Sequence, residues 1–123
     1  MKELSKDLMA SSLAPMILLI LKRQENYGYE IIQQIRDQTG GELNVAEGTL
    51  YPVLKKMEEK KWIEGTWKKV DTGRERRYYK LTSKGTQELD QQINQWNFIN
   101  DIINKLWNLP NSTSGSLSTI TYR

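Results

Sequence analysis

Between Leu50 and Leu81 the apolar spacing switches from helical to strand-like, and this switch constrains the fold more than any other feature of the chain. Leu50, Val53, Leu54 and Met57 recur at three- and four-residue intervals, which predicts a helix with one buried stripe that reaches about Lys60. Trp62 to Val70 then reads as a strand, Asp71-Thr72-Gly73 as a turn, and Arg76 to Leu81 as the returning strand. The order is a helix followed by a hairpin.

Charge is concentrated in the same place. Residues Thr49 to Lys84 hold eleven of the eighteen Lys and Arg side chains against five acids, a net +6, while the rest of the chain is net −3. Positive charge gathered on one segment implies an anionic partner there. Thr49, Tyr51, Lys55 and Lys56 fall on the outward face of the helix, and Lys68, Lys69, Arg74, Arg76 and Arg77 lie on the hairpin. Taken singly, each group also fits a plain solvated surface. Together, against an acidic remainder, they favour double-stranded DNA, with the helix reading the major groove and the hairpin meeting the backbone.

Two further helices are expected before this segment. Pro15 suits the first turn of a helix over Ala14–Arg23, with residues 3–12 only weakly helical. Met16–Leu21 is apolar on every side and demands cover all round, for which a second subunit is the economical source. Tyr27 to Gln38 predicts a second helix with Tyr27, Ile31, Ile32 and Ile35 on one face, ended by Gly40-Gly41. Asn44 and Glu47 have capping-box spacing for the third, and Pro52 inside it predicts a distorted first half. Thr82-Ser83 caps a last helix reaching about Leu109, stopped by Pro110. Its apolar residues form two sets: Leu89, Ile93, Trp96, Ile103 and Trp107, and beside them Ile99, Ile102 and Leu106. That double stripe is too wide for one small domain to cover. Asn111–Arg123 is Ser/Thr/Asn-rich and is expected to be mobile.

The fold class is therefore mainly α with a β-hairpin wing: a winged helix-turn-helix domain over 1–82, a C-terminal dimerisation helix over 83–109, and a tail over 110–123. Several function classes fall away. With no Cys and no His, a zinc site of those ligands and a His-dependent triad are excluded, and no arrangement of Asp, Glu, Lys, Tyr and Ser suggests an enzyme. No cofactor or metal is expected. The longest apolar run is far short of the roughly 20 residues that span a bilayer, and no signal-peptide pattern is present, so a cytoplasmic protein without membrane contact is expected.

Specific motifs carry a resemblance. Asn26-Tyr-Gly-Tyr-Glu-Ile31, Glu47-Gly-Thr-Leu-Tyr-Pro52, Leu54-Lys-Lys-Met57 with Ile63, and Gly73-Arg-Glu-Arg-Arg-Tyr-Tyr-Lys-Leu-Thr82 before Lys84-Gly85 resemble the PadR family of transcriptional regulators. The resemblance covers about residues 13–86 motif by motif, and the chain length is similar to that of a short, multidrug-responsive subgroup. It implies a homodimer built by the first and last helices and a slot for planar aromatic molecules between the subunits; apart from the resemblance, Tyr27-Gly28-Tyr29-Glu30 reads mostly as scaffold, with Tyr27 at a helix start that can take a DNA phosphate. Trp96 stands where the stacking tryptophan is expected, with Ile93, Asn97, Asn100 and Ile103 beside it and Leu8, Ser12, Pro15 and Leu19 on the first helix. Asn100 replaces an acidic residue and Ile93 an aromatic one, which implies a weaker preference for cations. The function implied is a DNA-binding repressor released by a planar hydrophobic ligand. A ligand-independent DNA-binding dimer, in which Trp96 is ordinary interface, and a winged-helix protein–protein module stand beside it.

Overall fold

The structure, a computed structural model, describes residues 4–110. The elements are α1 (Lys6–Arg23), β1 (Asn26–Tyr27), α2 (Gly28–Gln38), α3 (Glu47–Glu59), β2 (Ile63–Lys69), β3 (Glu75–Leu81) and α4 (Ser83–Trp107). The three strands form an antiparallel sheet in the order β1-β3-β2. Helices followed by a two-stranded wing are the winged helix-turn-helix arrangement expected from the sequence. The expectation for Asn111–Arg123 lies outside the described residues.

The described residues up to Asp90 form one compact unit and those from Gln91 a second. In the first, Leu13, Ile17 and Leu18 of α1, Ile31 of α2, Leu50 and Leu54 of α3, Ile63 of β2 and Leu89 of α4 are fully buried. This is the common interior onto which each amphipathic element turns its apolar face. In the second unit Trp96, Phe98, Ile99, Ile103 and Leu106 of α4 are exposed.

Several local expectations are corrected. Helix α1 begins at Lys6, where the Ser5 hydroxyl oxygen accepts from the Leu8 N–H at 3.2 Å, so Pro15 sits mid-helix rather than in the first turn. The helix continues through the missing donor because Leu13 on one side and Ile17, Leu18 and Leu21 on the other are all buried, so tertiary packing holds both halves. Asn26–Tyr27 is a short strand, so Tyr27 precedes α2 rather than opening it; its backbone pairs with Tyr79 and Tyr78 of β3. The Asn44 capping box does not form. Ala46 is the N-cap of α3 without a side-chain bond, and the Asn44 amide donates to the Gly41 carbonyl at 3.3 Å. Burial of Val45 between them sets how the chain enters α3, and packing overrides the local cap.

Other local chemistry is as expected. Gly40 and Gly41 end α2 with φ of +61° and +83°, and Gly73 turns the hairpin at +83°. Thr82 caps α4, its hydroxyl oxygen accepting from the Gly85 N–H at 3.0 Å. The same hydroxyl lies 2.6 Å from the Lys61 carbonyl, which ties the start of α4 to the link between α3 and β2.

Candidate nucleic-acid interface

The outward face of α3 carries Thr49, Tyr51, Lys55 and Lys56, all exposed, over the buried Leu50, Leu54 and Met57. Around Gly48 the space is open: a Cβ there would meet nothing within 4 Å. Tyr51 is both packed and presented. Its ring lies over Gly28 at the start of α2, while the residue stays 40 % exposed. Burial against α2, then the nearby Glu47 carboxylate, raise the phenol's pKa above 10.0, and Arg76 opposes them. The hydroxyl is thus a neutral donor at ordinary pH.

The five hairpin cations separate by strand alternation. Arg77 shares a face with the buried Tyr79, turns back onto α3, and donates to Glu58 at 2.5 Å with about 30 % and 29 % of the two side chains exposed. That hydrogen bond is the main reason its pKa is raised. Arg77 is therefore a brace between wing and helix, and it also lines the cleft beside them. Lys68 is ion-paired with Glu25 and lies 5.1 Å from the Tyr78 ring centre. Arg76 stacks over Tyr27 at 4.3 Å, and Tyr27 meets Tyr78 edge-on at 5.2 Å. These contacts make Tyr78 a packing residue and Tyr27 a platform for Arg76, while Tyr79 is buried. Arg74 and Lys69 stand near the turn, exposed and without an ion-pair partner among the described residues.

The start of α2, the start of α3 and the wing enclose a cleft of about 440 Å³. Tyr27 and Tyr51 line it with Arg74 and Arg76, and so do two acids, Glu47 and Glu75. Trp67 also lines it, 60 % exposed, with the Arg77 guanidinium 5.5 Å from its ring centre. Trp67 falls within the strand expected over Trp62 to Val70, where local pattern gives it no role beyond strand formation. The alternation that sets it on the same face as Ile63 and Gly65 was legible; the neighbouring cleft was not.

The residues singled out for a ligand slot stand as follows. On α1, Leu8 and Leu19 are exposed, the Ser12 hydroxyl donates to the Leu8 carbonyl at 2.7 Å, and Pro15 is buried within its own unit. Pro15 offers no surface to a ligand, because its ring belongs to the face of α1 that makes the core. On α4, Ile93 is half-buried, Asn97, Asn100 and Ile103 are exposed, and Gln95, Trp96 and Ile99 line a shallow hollow of about 230 Å³. Among the described residues no group of acids could hold a metal ion, and no helix is long and apolar enough to cross a membrane.

Known proteins are similar to this chain in sequence or in structure. An uncharacterised protein of Lysinibacillus sphaericus is 34% identical over 97 residues, covering 79% of this chain and 89% of the relative. A transcriptional regulator of Clostridium thermocellum superposes with a TM-score of 0.75 at 29% identity, covering 80% of this chain and 96% of the other. A PadR family transcription regulator of Clostridium difficile superposes at 0.68 with 34% identity, covering 77% and 97%. Residues 17–91, which include every wing and α3 residue named above, match the PadR-like family of transcriptional regulators. The chain belongs to the PadR-like family, a family of transcriptional regulators rather than of enzymes.

Proposed function

We propose that the protein is a homodimeric DNA-binding repressor, with residues 1–82 reading DNA and the helix over 83–109 joining the subunits. The observation that carries this reading is the shared cleft. Tyr51 of α3 lines it together with Arg74 and Arg76 of the wing; Thr49, Lys55 and Lys56 are exposed on the same helix, and the wing is braced to α3 through Arg77 and Glu58. A helix offering short polar groups and cations, fixed in angle to a basic hairpin, suits a major groove and the neighbouring backbone. The dimer reading rests on the exposed Trp96, Ile99, Ile103 and Leu106 of α4, since a lone subunit would leave that stripe in water. By this reading Ile103→Asp yields a monomer that no longer binds two half-sites. Footprinting on the DNA upstream of its own gene, with light scattering of wild type and variant, tests both parts. A wild-type mass of one chain at micromolar concentration overturns the dimer. The absence of any protected site at low salt overturns the repressor.

Release by a planar hydrophobic ligand stacked on Trp96 is the finer part of the proposal. It regulates only if the ligand favours a different spacing of the DNA-reading helices than the operator does. Without an acid at position 100, binding near micromolar is expected, roughly −8 kcal/mol. Planar dyes titrated against wild type and Trp96→Ala decide it, and equal binding leaves the ligand-independent dimer.

A further inference from the structure

Trp67 differs from the other exposed aromatic residues of the reading face in how it is held. Its indole lies under the Arg77 guanidinium, and Arg77 is anchored to Glu58 of α3, so the ring has a fixed place relative to the reading helix. It forms one wall of the cleft that also contains Arg74 and Arg76.

When a helix occupies the major groove and a hairpin the adjacent minor groove, the sugar–phosphate strand dividing the grooves runs between the two protein elements. In this protein the cleft lies between the starts of α2 and α3 on one side and the wing on the other. Such a strand has two chemically distinct edges: anionic phosphate oxygens, and the apolar carbons of the deoxyribose. The cleft has a counterpart for each, with cations at Arg74 and Arg76 and an apolar face at Trp67. Glu47 and Glu75 also line the cleft and repel phosphate, so the two arginines act against them.

We propose that Trp67 is a DNA-contacting residue whose indole packs on the deoxyribose of the strand between the two grooves, while Arg74 and Arg76 take the flanking phosphates. This rests on the DNA-binding reading above. It carries its own signature, because an apolar contact releases no counterion whereas each phosphate contact does.

The test measures affinity for a mixed-sequence duplex over a series of salt concentrations. Trp67→Ala weakens binding about tenfold at every salt concentration and leaves the log–log slope unchanged. Trp67→Phe, which keeps an aromatic face under Arg77, loses about threefold or less. Arg74→Ala and Arg76→Ala each reduce the slope by about one. Trp67→Ala binding as tightly as wild type overturns the proposal, and so does a slope change like that of the arginine variants. If the arginine variants also match wild type, the DNA-binding reading itself falls. Should Trp67→Ala lower the melting temperature, a second readout decides. The fluorine resonance of 5-fluorotryptophan at position 67, assigned through Trp67→Phe, shifts on adding duplex if the contact exists and stays in place if it does not.

Discussion

Gly28→Ala is the smallest change that should disturb the reading helix without touching its DNA face. Gly28 opens α2, is buried, and lies beneath the Tyr51 ring. A Cβ at this position would stand 2.6 Å from the Tyr51 Oη, 2.7 Å from Cζ and 2.8 Å from Cε1. Gly28 is not among the glycines with positive φ, so the cost is steric rather than conformational. A tyrosine ring yields only by turning about its first two torsions, and that lifts it off α2. Overpacking of this kind costs about 1–3 kcal/mol. Alanine's better helix propensity offsets at most about 1 kcal/mol. The net loss is about 1–2 kcal/mol, or roughly 5 °C in melting temperature for a domain of this size.

A double-mutant cycle isolates the cause. In a Tyr51→Ala background the obstacle is gone, and Gly28→Ala becomes neutral or slightly stabilising, a coupling of about 1–3 kcal/mol. Tyr51→Phe gives no relief, because Cζ and Cε1 remain. Denaturant melts of the four proteins supply the stability arm. Selection from a randomised operator supplies the functional arm, in which a displaced Tyr51 broadens the tolerated bases near its contact. Additive losses, or a Gly28→Ala protein as stable as wild type, would refute the packing of Tyr51 on α2 and with it the account of how α3 is aimed.

Gly85→Ala should be more damaging, about 3 kcal/mol or more, since its Cβ would lie 2.0 Å from the Trp62 carbonyl oxygen and a backbone atom cannot swing aside; a normal melting curve would contradict this. Arg77→Ala should lower stability by about 1 kcal/mol or less, because the pair with Glu58 is partly exposed, while the salt slope of DNA binding stays that of wild type; a slope reduced by about one would return Arg77 to the phosphate contacts. Alkaline stability follows from the two tyrosines. Burial raises the pKa of both Tyr51 and Tyr79 above 10.0 in the folded protein, so their contribution is full below that pH and is lost as pH rises past it through the folded values. Melts across the alkaline range should show this decline, and Tyr79→Phe should flatten it.

The sequence by itself determined the elements whose cause is local. The stripe Leu50–Leu54–Met57, the turn at Gly73, the stop at Gly40-Gly41 and the cap at Thr82 depend on side-chain periodicity and on φ preferences within a few residues, and the structure has each of them. The concentration of charge, and the motifs shared with the PadR-like family, were equally legible because they are written in consecutive residues. The tertiary structure alone decided which partners those residues meet. β1 exists only because Asn26 and Tyr27 find Tyr79 and Tyr78 some fifty residues on. Pro15 lies mid-helix because residues on both sides of it are buried, and Ala46 replaces Asn44 as a cap beside the buried Val45. Strand register turned Arg77 inward onto Glu58 and set Trp67 beside the cleft. A local pattern fixes which face a side chain occupies; the packing of one element on another fixes what stands opposite that face. Chemistry at a site requires both.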